Sequence, residues 1–132
     1  MTRMLPPIPT LAAPLAVLLG TVIAGTSATA FEAGPLSCRF TTECYDAEGC
    51  EETDYALALV ASDDGWILRD QVEDVPAVEI AVDGALVWMG AGGGAVRILS
   101  GTAAQSARLS VHSAAGDLMM NYTGVCDAAQ PE

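Results

Sequence analysis

The chain has 132 residues, 52% of them hydrophobic, and sets 17 acidic residues against five basic ones, for a net charge of −12 at neutral pH without a single lysine. A field of that sign repels nucleic-acid phosphates and anionic lipid headgroups, so neither is an expected partner. The apolar content and its regular patterning exclude an intrinsically disordered chain, and the length suits one domain.

Residues 1–30 read as a secretory leader. Met1-Thr2-Arg3-Met4 carries one positive charge, an uncharged apolar run from Leu11 to Ala24 follows, and Ala28-Thr29-Ala30 offers a small-residue cleavage site before Phe31. A retained anchor fits less well: it needs about 20 apolar residues, and this run has about 14, broken by Gly20. Pro6, Pro7, Pro9 and Pro14 also disfavour a continuous helix. Pro35-Leu36-Ser37 ahead of Cys38 does not match a lipoprotein cleavage site. Cleavage after Ala30 leaves residues 31–132 as one small β domain without a membrane span. That domain holds all 17 carboxylates and only Arg39, Arg69, Arg97 and Arg108, a net charge of −13. The expected location is the periplasm or the cell exterior.

From there the chain reads as short strands separated by turn signals, with no amphipathic helix. Leu36 to Thr42 is the first strand. Asp54 to Ala61 is the second, with Tyr55, Leu57 and Leu59 on one face. After the turn Ser62-Asp63-Asp64-Gly65, Trp66 to Arg69 is the third. The acidic stretch Asp70 to Asp74, closed by Pro76, reads as a loop. Ala77 to Val82 is the fourth strand, with Val78, Ile80 and Val82 on one side and Ala77, Glu79 and Ala81 on the other. Asp83-Gly84 supplies the positive φ angles of a tight hairpin, and Ala85 to Met89 returns. Gly90-Ala91-Gly92-Gly93-Gly94 reads as a flexible turn before Ala95 to Leu99. Ser106 to Ser113 is the seventh strand, with Leu109 and Val111 inward and Arg108, Ser110 and His112 outward. After Ala114-Ala115-Gly116-Asp117, Leu118 to Cys126 is the eighth, with Leu118, Met120 and Tyr122 on one face.

Strands recurring at roughly ten-residue intervals imply an all-β antiparallel meander. Such a sheet tends to close into a barrel, because open edges invite aggregation; a two-sheet sandwich is the alternative. Four cysteines in an exported chain of this length imply two disulfides. Cys44 and Cys50 flank a short Gly-containing loop, and Cys38 and Cys126 lie near the two ends of the domain. The expected pairs are therefore Cys44–Cys50 and Cys38–Cys126, the second bringing first and last strands together. In the chain-entropy description the long bridge contributes about 4–5 kcal/mol and the short one about 2. A zinc site is disfavoured, since the spacing from Cys38 to Cys44 to Cys50 is wider than the usual C-x2-4-C.

The motifs that carry chemistry elsewhere are weak here, and no cofactor motif is present. The glycine run lacks the following helix and the lysine of a phosphate loop. His112 is the single histidine, placed in a strand facing solvent; a hydrolase built from it with Ser110 or Ser113 would lack a G-x-S-x-G elbow. Asp46, Glu48, Glu52 and Asp54 alternate faintly like a calcium loop, but Gly49 and Cys50 fall at the wrong positions and no helices flank them. Carboxylate pairs of the glycosidase kind exist, without the chain length for a polysaccharide cleft. Asn121-Tyr122-Thr123 fits a glycosylation acceptor but lies within a strand.

An exported, acidic, disulfide-closed small barrel resembles the C-type lysozyme inhibitor family in outline, with local echoes in Ser100-Gly101 followed by a strand and in Tyr122-Thr123-Gly124-Val125-Cys126. That family's Ser-Gly loop ends in an aromatic residue, where this chain has Thr102-Ala103-Ala104, so no functional residue is transferred. The functional expectation is a non-enzymatic binding or inhibitor-like protein that meets a cationic partner through Tyr45, Asp46, Glu48, Glu51 and Glu52, with Tyr45 as the apolar anchor. A structural or stress-related envelope component without a discrete ligand is the alternative.

Overall fold

Alternation of inward apolar and outward polar residues organises the strands of this chain. The computed structural model describes residues 34–130; the leader and the cleavage point at Phe31 lie outside the described residues. Eight antiparallel strands follow one another: β1 (Leu36–Tyr45), β2 (Gly49–Ser62), β3 (Gly65–Arg69), β4 (Asp74–Val82), β5 (Ala85–Gly92), β6 (Ala95–Ser100), β7 (Ala107–Ser113) and β8 (Met119–Ala128). Each pairs with its neighbours in sequence, and β1 also pairs with β8, giving a closed barrel rather than a sandwich. A single 3-10 turn, Thr102–Ala104, is the one helical element among the described residues, and no helix there is long and apolar enough to cross a membrane.

Closure places the cysteines opposite one another. Cys38 faces Cys126 across β1 and β8, Cys44 faces Cys50 across β1 and β2, and both pairs are bonded. The Cys38–Cys126 bridge is buried with Leu36, Phe40, Leu57, Leu59, Leu68, Val75, Trp88, Leu99 and Leu109 in one core. Trp88, fully enclosed at the centre, meets Trp66 edge-on, with ring centroids 6.3 Å apart. Leu109 and Val111 point inward as expected, and Asp83 and Gly84 turn the β4–β5 hairpin with φ of 48° and 82°.

Several boundaries differ from the sequence reading. The first two strands are longer than expected: β1 runs past Thr42 to Tyr45 and β2 begins at Gly49 rather than Asp54, so the two form a continuous ribbon. Asp74 to Pro76 belong to β4, paired with Arg69 to Ile67. The proline lies near the start of the strand, facing outward, where a missing N–H is most easily tolerated. Gly90 and Gly92 sit in β5, and only Gly93-Gly94 turn the chain. Their lack of a side chain answers packing rather than flexibility. A Cβ at Gly90 would lie 3.0 Å from Val75 Cγ1 and from the Pro76 carbonyl oxygen, and one at Gly92 would lie 3.2 Å from Val75 Cγ1. Leu118 falls in the turn before β8. The inward side of β4 is Val75 and Ala77, small enough to sit beside these glycines, while Val78 and Val82 of its more apolar row are exposed on the outer surface.

The two ends of the barrel follow from the up-and-down order. One end carries the turns Asp63-Asp64 and Asp83-Gly84, the loop Gly101–Ser106 and both ends of the described chain. The other carries the ribbon tip Asp46–Glu48, the turn Asp70–Glu73, the Gly93-Gly94 turn and the turn Ala114–Leu118.

Candidate functional site

The end bearing the ribbon is uneven. β3 pairs with β2 only over Ala58 to Ser62, so the half of β2 from Gly49 to Ala56 rises above it with no strand on that side. β1 and the beginning of β8 rise with it: Tyr45 lies opposite Met120 as well as Gly49, and the Asp46 amide donates to the Met119 carbonyl at 3.2 Å. A register shift between Phe40 and Thr42 lets β1 continue upward from the barrel wall. There β8 passes so close that a side chain at Gly124 would collide with the backbone of Arg39 and Phe40, which accounts for the glycine in the Tyr122–Cys126 segment.

The ribbon carries Tyr45, Asp46, Glu48, Glu51 and Glu52 but divides them: Glu51 shares a face with Glu43 and Tyr45, Glu52 lies on the other face opposite Thr42, and Asp46 and Glu48 are at the tip. Glu43 and Glu51 stand directly opposite each other in the β1–β2 register, a like-charge pair that costs a few tenths of a kcal/mol or more. The arginines do not relieve it. Arg39 pairs with Asp54 at 2.7 Å, Arg69 with Asp74 at 2.7 Å and Arg97 with Glu73, while Arg108 donates to Thr123 Oγ1. Among the described residues, Glu43, Asp46, Glu48, Glu51 and Glu52 have no cation within ion-pair distance. Tyr45 is half-buried and donates its hydroxyl to Glu43 at 3.1 Å; that hydrogen bond, with the charges of Glu43, Glu51 and Glu48, pushes its pKa up. Nor do the carboxylates converge on a calcium site: among the described residues no three His, Cys, Asp or Glu side chains are grouped to hold a metal ion.

Across the mouth from the ribbon lies a second arrangement absent from the sequence reading. Asp70 accepts hydrogen bonds at Oδ1 from the amides of Val72 and Glu73, at 2.7 and 2.9 Å, and at Oδ2 from the Tyr55 hydroxyl at 2.7 Å. Burial works against the Asp70 charge, but the Tyr55 hydroxyl and the two amides outweigh it and hold the carboxyl below its usual range. Arg97 points inward from β6, its side chain 10% exposed; it pairs with Glu73 and donates to the Gly92 carbonyl at 3.0 Å. The turn 70–73 is thus fastened to β2 through Tyr55 and to β6 through Arg97. Beneath it Tyr55 and Tyr122 stack at 4.9 Å, with Phe40 6.0 Å from each. Burial raises the pKa of both tyrosines, Tyr122 to about 12. The signal for Arg97 was available: with Leu99 inward, a period of two turns Arg97 inward as well.

On the β6–β8 side of the same mouth is a cleft of about 260 Å³, lined by Gly93, Gly94, Ala95, Arg97, Val111, Ser113, Leu118 and Met120. A larger concavity, about 1040 Å³, lies on the outer face of β1–β3 beside Pro35 and Gln130; its arginines, Arg39 and Arg69, are already paired. His112 is exposed on β7. Its neighbouring serines bond elsewhere, Ser110 to Asn121 Oδ1 and Ser113 to Asp117 Oδ1, both at 2.7 Å. At the opposite end Ser100-Gly101 opens a tight loop in which Thr102 is buried.

No protein-family model, no curated protein and no solved structure matches this chain. What the geometry offers is an uncompensated acidic ribbon, tied by a disulfide and backed by β8, beside a latched turn and a small cleft.

Proposed function

We propose that this is an exported acidic binding protein that captures a cationic protein, with the disulfide-tied ribbon as its docking edge. The observation that carries the reading is the charge accounting: Glu43, Asp46, Glu48, Glu51 and Glu52 lie along one ribbon without a cation, Glu43 facing Glu51, while three of the four arginines of residues 34–130 neutralise carboxylates elsewhere. Folding alone does not favour such an arrangement. A positively charged partner would relieve it, and the field would speed the encounter. Two disulfides fit an oxidising compartment such as the periplasm or the exterior. A cationic hydrolase of the lysozyme kind is the partner class to try first, since such enzymes attack that compartment.

One observation favours a second reading. The overhanging half of β2 is an unpaired edge, and charged residues on an edge keep other strands from adding to it. Glu51 and Glu52 would then serve solubility, in a structural envelope component without a discrete ligand.

Titration against a cationic lysozyme at low and high salt separates the two. Screening shortens from about 10 Å at 0.1 M to about 3 Å at 1 M ionic strength, so capture by the ribbon weakens steeply with salt. In a Glu51→Lys/Glu52→Lys variant the edge stays charged but capture is abolished. Equal binding by both proteins, or by a neutral control protein, contradicts the capture reading.

A further inference from the structure

The 260 Å³ cleft is smaller than the roughly 300–1,000 Å³ of sites that enclose whole small molecules; it has room for one side chain. Its lining is mixed, apolar from Val111, Leu118 and Met120 and polar from Arg97 and Ser113, and Leu118 is 44% exposed. Two carboxylates stand near its rim, Glu73 paired with Arg97 and Asp117 with no cation among the described residues. The Glu73 carboxylate lies over Gly93, so closely that a methyl group at that glycine would overlap it, and Asp117 is held to the lining Ser113 at 2.7 Å. The guanidinium of Arg97 on the lining is engaged by Glu73 and by the Gly92 carbonyl, so its charge is compensated where it stands. Met120 also pairs with Tyr45 in the β1–β8 register, which places the cleft beside the ribbon.

We propose that this cleft receives one basic side chain, lysine or arginine, of the cationic partner. The methylene stem would lie along Leu118, Met120 and Val111, and the charged head would emerge toward Asp117, the usual division of such a side chain between apolar surface and water. This inference rests on the capture reading and adds a second anchor to the one proposed at Tyr45.

The test is an NMR titration of the exported protein with four capped amino-acid amides: lysine, arginine, norleucine and glutamate. Lysine and arginine amides are expected to give saturable shifts at Gly93, Gly94, Leu118 and Met120. Norleucine amide, with the stem but no charge, should bind about two- to fivefold more weakly, the worth of a partly exposed ion pair. Leu118→Ser, at an exposed position that leaves the fold intact, should weaken lysine binding about fivefold through the lost apolar wall. Absence of saturable shifts, norleucine binding as tight as lysine, or preference for glutamate through Arg97 would each overturn the proposal. The two readings fail separately. A cationic lysozyme captured equally by wild type and Leu118→Ser sinks the cleft alone, whereas lysine amide bound without capture of any cationic protein sinks the capture reading alone.

Discussion

The two ends of this barrel are closed by different means. At the end bearing the chain's first and last described residues, the loop Gly101–Ser106 closes by backbone: Gly101 and Gln105 take left-handed conformations at φ of 68° and 53°, Thr102 tucks inside, and the loop carries no charge. At the ribbon end, closure is electrostatic. Asp70, Tyr55, Glu73 and Arg97 form a latch, and a further set of carboxylates stands beside it without partners. The latch charges are paired within the fold; the ribbon carboxylates have no cation among the described residues. On that difference rests the proposal that recognition falls to the ribbon rather than to the Ser-Gly loop.

Breaking the latch is expected to have the largest effect on stability. Arg97→Met leaves the Glu73 carboxylate partly buried without its cation, and removing one partner of a buried pair costs about 3–5 kcal/mol. Glu73 is 27% exposed, so the lower end of that range applies. Denaturant unfolding measures it, and an unchanged midpoint would show that the latch is ornamental. At the other end, Gly101→Ala forces a side chain into a positive φ and against the Ser106 carbonyl, for a loss of about 1–2 kcal/mol. The same change at Gly94, with φ of 75° but open space around it, should cost less.

The latch also gives the ribbon end a pH dependence that the neutral loop lacks. Asp70 has a depressed pKa, so its contribution is present above the ordinary carboxylate range near 4 and is lost as pH falls through the lowered value. Tyr55 and Tyr122 have raised pKa values. Their contribution is intact below the ordinary tyrosine value near 10 and is lost as pH climbs through the raised ones, about 12 for Tyr122. Stability should therefore be level from about pH 6 to 9 and fall on both sides. Tyr55→Phe should flatten part of both arms, as followed by thermal melts across pH. An unaltered profile in that variant would remove Tyr55–Asp70 from the account.

Much of this architecture was legible in the residues. Alternation in Tyr55-Ala56-Leu57-Ala58-Leu59 and in Leu109-Ser110-Val111 gave inward and outward faces, and the positions of Cys38 and Cys126 implied closure of first strand on last. The errors have one cause. Pro76 and the glycine run from Gly90 were read as breakers by local chemistry, and the first two strands were ended short of the acidic residues around Cys50. In the fold Gly90 and Gly92 make room for Val75, Pro76 faces outward near a strand's start, and the acidic residues line an edge. The latch was hidden for a different reason. Tyr55, Asp70, Glu73 and Arg97 come from three separate stretches, and nothing local in Asp70-Gln71-Val72-Glu73 announces an ion pair with β6.

The central claim is that the ribbon carboxylates serve binding at a small cost to folding. The direct measurement is a paired one on Glu51→Gln/Glu52→Gln: affinity for a cationic lysozyme at low salt, and unfolding free energy under the same conditions. Removing the Glu43–Glu51 opposition should leave stability unchanged or raise it by about 0.2–1 kcal/mol, while affinity falls and its salt dependence flattens. Lower stability with undiminished affinity would contradict the account.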